Sequence, residues 1–189
     1  MAPRTGERRL QILQTLAAML ESPRAERVTT AALAARLEVS EAALYRHFAS
    51  KAQMYEGLIE FIETTLFTLV NKIVGETEDG VAQAQQIVAV LLGFAEKNPG
   101  MTRVLIGDAL VNEDERLQAR INQLYDRVEA SLRQALRIAE AAGTGPGDAA
   151  AHASVLVAFV LGRWQLYAKS GFRRTPQEGW EAQRKFLFG

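Results

Sequence analysis

The chain has 189 residues, its 22 Lys/Arg are balanced by 22 Asp/Glu, and a hydrophobic fraction of 48% supplies enough apolar material for a real core. It has no cysteine, which excludes disulfides, thiolate metal sites and cysteine nucleophiles. The longest apolar runs, 87–95 and 155–162, fall short of the roughly 20 residues that a bilayer requires, and no basic-then-apolar leader opens the sequence, so a soluble cytoplasmic protein is expected.

The zero net charge is unevenly divided. Residues 1–55 hold eight Lys/Arg against five Asp/Glu, and the remainder holds 14 against 17. A mildly basic amino-terminal part is compatible with a polyanionic partner without requiring one.

In chain order, residues 1–7 are expected to form a disordered arm, with Arg4, Arg8 and Arg9 at the entrance to a first helix. Leu10, Leu13, Leu16, Ala17 and Leu20 then recur at helical spacing, and Pro23 ends the helix. Arg8 and Arg9 could touch phosphate or form a solvated face.

Thr29 and Thr30 offer an N-cap to a short helix carrying Ala31, Leu33, Ala34 and Leu37, after which 38–40 form a three-residue break. Ser40 caps a second helix over 41–48. Val39, Leu44 and Phe48 can turn inward from it, leaving Ala42, Ala43, Tyr45, Arg46 and His47 outward. This is the pattern of a helix-turn-helix, although a buried helical hairpin would use many of the same residues. DNA affinity comes mostly from groups that neutralise or hydrogen-bond phosphate, and sequence is read by groups that reach base edges. The residues offered to DNA are Thr29, Thr30, Ser40, Ala42, Ala43, Tyr45, Arg46, His47 and Lys51. Thr29, Tyr45, His47 and Lys51 suit phosphate, while Ser40, Ala42 and Ala43 stand at the groove-entering end. Alanine can touch a thymine methyl but cannot read guanine, so direct readout is expected to be modest unless Arg46 reaches a base.

Ser50 and Gln53 match a capping box, opening a long helix to about residue 75. Met54, Leu58, Ile62, Leu66, Leu69 and Ile73 share one stripe, with Glu56, Glu60 and Glu63 opposite. Phe61 and Phe67 fall off that stripe; each could be covered by another part of the fold, and together they suggest a partner surface. A helix over 78–97 carries Val81, Ala84, Ile87, Val88, Leu91 and Leu92, and Asn98-Pro99-Gly100 stops it before a short helix at 101–108. The longest amphipathic unit, 112–142, repeats Leu117, Ile121, Leu124, Val128, Leu132 and Ala135. The loop 143–147 lacks a following Gly-Lys-Ser/Thr and a preceding strand, so it is no nucleotide cradle. A helix over 149–170, rich in small residues, and a short one from Pro176 with Trp180, Phe186 and Phe188 complete the chain.

The expected fold is therefore all-α. The wide apolar faces of the two late helices suggest either a filled monomer core or a homodimer interface through Ile121, Leu124, Val128, Val155, Phe159 and Gly162. A dimer is favoured, because it would set two recognition helices about 34 Å apart. Nothing points to an enzyme, a cofactor or a metal: His152 is the only His outside the motif, and no nucleophile motif appears.

The stretch VTTAALAARLEVSEAALYRHFASK resembles the amino-terminal DNA-binding domain of the TetR family of regulators, notably in its ALYRHF-x-SK signature. SEAALYRHF, LIEFIE, LLGFAEKNPG and RLQARINQLYDRVEASLRQ are similar, more narrowly, to the nucleoid-occlusion branch of that family. The resemblance implies a TetR-like fold, with a three-helix head over 1–50 and a helical dimerisation and partner-binding body over 51–189. It implies a nucleoid-associated homodimer on palindromic double-stranded DNA that antagonises polymers of the tubulin-like division GTPase FtsZ. It also implies that Thr29, Tyr45, His47 and Lys51 contact the DNA backbone, and that Phe61, Gly93, Lys97 and Asn98 face FtsZ. Three positions depart from the pattern: Glu38 replaces a Gly, which predicts strain in the turn, and Lys97 and Leu69 each replace an Arg. The competing reading is a ligand-responsive repressor with a body pocket lined by Phe159, Trp164 and Tyr167; in the favoured one no small-molecule ligand is expected.

Overall fold

The computed structural model describes residues 5–22 and 28–189, and these are helical with no strand. The first helix, α1 (Thr5–Leu20), begins inside the expected arm, whereas Arg4 and the expected stop at Pro23 lie outside the described residues. Its buried face is Ile12, Leu16, Ala17 and Leu20, at spacings of three and four. Leu10 points outward and Leu13 is half-buried, so the inward stripe is rotated toward Ile12 from the expected one.

Two short helices follow, α2 (Thr30–Arg36) and α3 (Glu41–Tyr45). Thr29 Oγ1 accepts the Ala32 N–H at 3.1 Å and Ser40 Oγ accepts that of Ala43 at 3.3 Å, satisfying orphan donors at each N-terminus. The second helix is shorter than expected, since 46 and 47 continue as a turn, but Leu33, Ala34, Leu44 and Phe48 are buried as the pattern requires. Glu38 turns the chain between them at φ +56°, so a β-carbon stands in the left-handed region that favours glycine.

The central helix is α4 (Lys51–Glu76), capped by Ser50 Oγ on the Gln53 N–H at 3.1 Å. The reciprocal bond of the box goes to Ala49, whose N–H reaches Gln53 Oε1 at 2.9 Å. Its buried set includes Met54, Leu58, Ile62, Leu66 and Ile73, together with Tyr55, Ile59 and Val70. Leu69 is not in it: at 38% exposure it stands outside, because the stripe drifts toward Val70 over 26 residues.

The body adds α5 (Gly80–Lys97), α6 (Pro99–Leu105), α7 (Glu115–Ala141), α8 (Ala149–Lys169) and α9 (Trp180–Phe188). Asp79, Asp114 and Asp148 cap α5, α7 and α8 with their carboxylates. Pro99 does not delay the next helix to 101; it occupies its first turn, where a missing N–H costs nothing. The last helix starts later than Pro176, after Gly179 at φ +74°, which no helix interior accommodates. α7 packs along α8 with α5 against both, and buried Trp164 donates its indole N–H to the Leu91 carbonyl at 3.0 Å. By length and composition α8 is apolar enough to cross a bilayer, contrary to the reading of its short uninterrupted runs, because the alanines at 149–153 extend its apolar length. It is a packed body helix, with Ala153, Leu156, Val160 and Trp164 buried.

Head and body share one hydrophobic cluster, and α1 docks on α6 through Gly100. A β-carbon at Gly100 would overlap the Ala17 carbonyl oxygen, a backbone atom that cannot rotate away. Gly100→Ala is therefore expected to lower the melting temperature by several degrees. Glu38→Gly should act oppositely, relieving about 1 kcal/mol of left-handed strain and raising it by roughly 2–4 °C. Thermal unfolding followed by circular dichroism checks both, and an unchanged melting temperature in either variant would contradict the corresponding contact or strain.

Candidate nucleic-acid interface and partner groove

On the head, Thr29, Ser40, Ala42, Tyr45 and Arg46 are exposed, and Ala43 and His47 are half-buried. Because the Thr29 and Ser40 oxygens act as acceptors in their caps, their hydroxyl protons remain able to donate to a phosphate oxygen. Thr30 is different: its hydroxyl donates to Glu41 Oε2 at 2.6 Å, tying the start of α2 to the start of α3 instead of pointing at a ligand. It holds the motif's angle.

Arg9 also departs from expectation. Its guanidinium lies 4.1 Å from the centre of the Phe48 ring and donates to the His47 carbonyl, so it fastens the end of the recognition segment to α1. Arg8 donates to Gln11 on its own helix at 2.6 Å.

Lys51 is half-buried, with Nζ 2.5 Å from Glu113 Oε1, a carboxylate whose side chain is almost fully covered. A phosphate would have to take the place of that carboxylate. The same seam continues along α4 and α7: Arg116 meets Glu56 at 3.0 Å, and Arg120 meets Glu63 at 2.7 Å. The hydrogen bond to Glu63 is the main reason the Arg120 guanidinium holds its proton more tightly than usual. Glu56 and Glu63, expected opposite the apolar stripe, are thus tied across to α7. Phe67 is covered too, with the Arg127 guanidinium 3.8 Å from its ring centre, so it does not share a surface with Phe61.

Phe61 is 40% exposed and opens onto a groove of about 540 Å³ between α4 and α5. Phe61, Thr65 and Leu69, four residues apart, form one wall. Gly93, Lys97 and Asn98 lie along α5 and its end, so all four residues expected to face a partner meet in this groove. The Asn98 amide donates to the Phe94 carbonyl at 2.8 Å, ending α5, and Lys97 is exposed. Behind the groove, the Tyr167 hydroxyl donates to the Glu96 carbonyl at 3.1 Å, and burial pushes its pKa up. Gln177, from the turn between α8 and α9, forms the opposite wall; nothing in local periodicity could have announced it.

The expected dimer residues divide. Ile121, Leu124 and Val128 are buried within the body's own core and present no free face, because α7 directs that stripe against its neighbours. Val155 and Gly162 are exposed on α8, and Phe159 is half-buried with its ring centre 6.1 Å from that of Trp180. Trp164 and Tyr167, offered above for a ligand pocket, are buried and hydrogen-bonded to backbone carbonyls, and Phe159 packs on Trp180.

A capped helix-turn-helix presenting hydroxyls and an arginine, seated on a helical body, is the arrangement of a DNA-binding regulator. The family described as "Bacterial regulatory proteins, tetR family" matches residues 16–58, and "Tetracyclin repressor-like, C-terminal domain", of SlmA-like type, matches 78–189. The chain belongs to the TetR family, in its SlmA-like group. It is 51% identical over 184 residues to the nucleoid occlusion factor SlmA of Alteromonas mediterranea, covering 96% of this chain and 94% of that protein. To the SlmA of a Marinomonas species it is 51% identical over 185 residues, covering 97% and 94%. The TetR family transcriptional regulator PfmR from Thermus thermophilus superposes with a TM-score of 0.79 at 21% identity, covering 94% of this chain and 97% of that one, which bears on fold alone.

If Lys51 exchanges Glu113 for phosphate, Lys51→Ala should weaken binding to every duplex and reduce the slope of log K against log salt by about one. Glu113→Gln should do the reverse and tighten binding, since no carboxylate competes. Fluorescence anisotropy across a salt series checks both, and an unchanged slope in Lys51→Ala would exclude the phosphate contact.

Proposed function

We propose that the protein is a cytoplasmic, nucleoid-associated occlusion factor. Its head, over 1–50, binds palindromic double-stranded DNA, and its body, over 51–189, carries the dimer and partner surfaces. While DNA-bound as a homodimer it antagonises FtsZ polymers, keeping the division septum off the chromosome. The observation that carries this reading is the convergence of Phe61, Gly93, Lys97 and Asn98 on one open groove, in a chain about half identical to nucleoid occlusion factors.

The dimer uses the outer face of α8. Ala151, Val155, Ala158 and Gly162 are all exposed at spacings of three and four, a strip of small side chains that lets a second helix approach closely. Phe186, on α9, is 91% exposed, a large apolar group that a partner copy would remove from water. Two heads brought together in this way would reach successive major grooves. DNA contacts come from Thr29, Ser40, Ala42, Ala43, Tyr45, Arg46 and His47, with Lys51 joining by exchange. The groove is apolar along α4 and carries Lys97 near one end, so it suits a short segment with apolar side chains.

Phe61 lies outside the core, so Phe61→Ala should shift the melting temperature by no more than a degree or two. It should leave DNA affinity intact. Disruption of FtsZ polymers, measured by pelleting with and without a palindromic duplex, should be strong for the wild-type protein with DNA and lost in the variant. Wild-type protein without effect on FtsZ under either condition would refute the occlusion reading.

A further inference from the structure

One side chain makes three of the hydrogen bonds that hold the turn between α8 and α9. Arg163, on α8, donates from Nε to the Pro176 carbonyl at 2.9 Å, and from Nη2 to the Thr175 carbonyl at 2.9 Å and the Glu178 carbonyl at 2.8 Å. Three acceptors in four consecutive residues are gathered by one planar fork, which a lysine ammonium cannot reproduce in the same geometry. Among the described residues no carboxylate pairs with this guanidinium, so its task is the backbone of the turn. The turn is further pinned by the Gln177 N–H on Glu96 Oε2 at 3.3 Å, and by the Trp180 N–H on the Gln177 carbonyl at 3.0 Å.

The residue presented by this arrangement is Gln177. Its side-chain amide stands over α5, with Nε2 3.2 Å from where a β-carbon on Gly93 would be, so Gly93 leaves the room that the amide occupies. The side chain is exposed, and among the described residues nothing hydrogen-bonds its amide group. Two N–H donors and a carbonyl acceptor therefore face a groove whose opposite wall, Phe61 and Leu69, is apolar. An extended or turning peptide segment laid in such a groove can bury its side chains on the α4 wall, but its main-chain N–H and C=O groups need partners. The Asn98 amide commits one of its N–H groups to the Phe94 carbonyl, and Lys97 can only donate.

We infer that Gln177 is a specificity-determining residue of the partner groove, pairing with the main chain of the docked segment, and that Arg163 is the positioning residue that holds it there. The inference rests on the occlusion reading above, and goes beyond it by assigning a third wall to the groove from a turn remote in sequence. It explains why the groove combines α4 and α5 with a segment next to the outer face of α8.

The test uses the full-length protein with a palindromic duplex, and reads affinity for purified FtsZ. Gln177→Ala should weaken FtsZ binding about tenfold, as loss of one or two hydrogen bonds in a covered site does, with DNA affinity unchanged. Arg163→Lys should weaken it similarly, and should speed hydrogen exchange at the Gln177 and Trp180 amides. The double variant should bind no more weakly than Gln177→Ala alone, since Arg163 acts through Gln177. Unaltered binding by Gln177→Ala, or losses that add in the double variant, would overturn the assignment while leaving the occlusion reading standing. Wild-type protein that fails to bind FtsZ would overturn both. Gln177 is a surface position, so its variant stays informative even if Arg163→Lys misfolds.

Discussion

One uninterrupted helix, Lys51–Glu76, has to satisfy three surfaces at once, and the rest of the molecule is arranged around that demand. Its first turns close the head: Gly57 lies against Phe48 and Leu13, and Tyr55 is buried. Its middle faces α7 through cation–carboxylate pairs, and its outer edge forms a wall of the groove. An amphipathic helix normally divides into one apolar and one polar face. Here a second strip, at Phe61, Thr65 and Leu69, lies apart from the buried stripe and lines the groove.

Zero net charge in a DNA-binding protein becomes intelligible from the same helix. Two of the acids of α4 are not a solvated counterweight to the head. Glu56 and Glu63 neutralise Arg116 and Arg120 in place, and Glu113 neutralises Lys51 at the head's border. Exposed pairs of this kind contribute little to stability, but a pair with one nearly covered carboxylate, such as Lys51–Glu113, fixes geometry. Among the described residues of the head, Arg36 and Arg46 are exposed cations, on α2 and just after α3.

Much of this was legible from residue order, and the misses have physical causes. Caps at Thr29, Ser40 and Ser50 are local chemistry within four residues, so they could be read directly. Phe61 could be placed outside the core because a helix of this length makes angular position a reliable guide. The same reasoning put Leu69 inside, because small angular errors accumulate along the helix. It also treated Ile121, Leu124 and Val128 as an open face, since a wide apolar stripe is identical whether a neighbour in the same chain or a second copy covers it. Thr30, Arg9, Lys51 and Arg163 were beyond reach for a different reason. Their partners lie 11, 38, 62 and 12 to 15 residues away, and only the packed fold brings those atoms together.

The stiffness of α4 decides how its two ends can influence each other. From Lys51 to Phe61 and Leu69 is ten and eighteen residues of continuous helix, about 15 and 27 Å at 1.5 Å per residue. No proline interrupts the hydrogen-bonded ladder between these positions. A seam of ion pairs with α7 runs along the middle of the helix. Glu56 and Glu63 are held there by arginines, so motion at Lys51 must either break those pairs or move α7 with the helix. The opposite side of the groove belongs to α5 and to a turn clamped by Arg163, which share no backbone with α4 between residues 76 and 80 except a short link. Both sides of the groove therefore meet the head: the α4 wall through its own backbone, and the α5 wall through α6, which docks on α1 at Gly100.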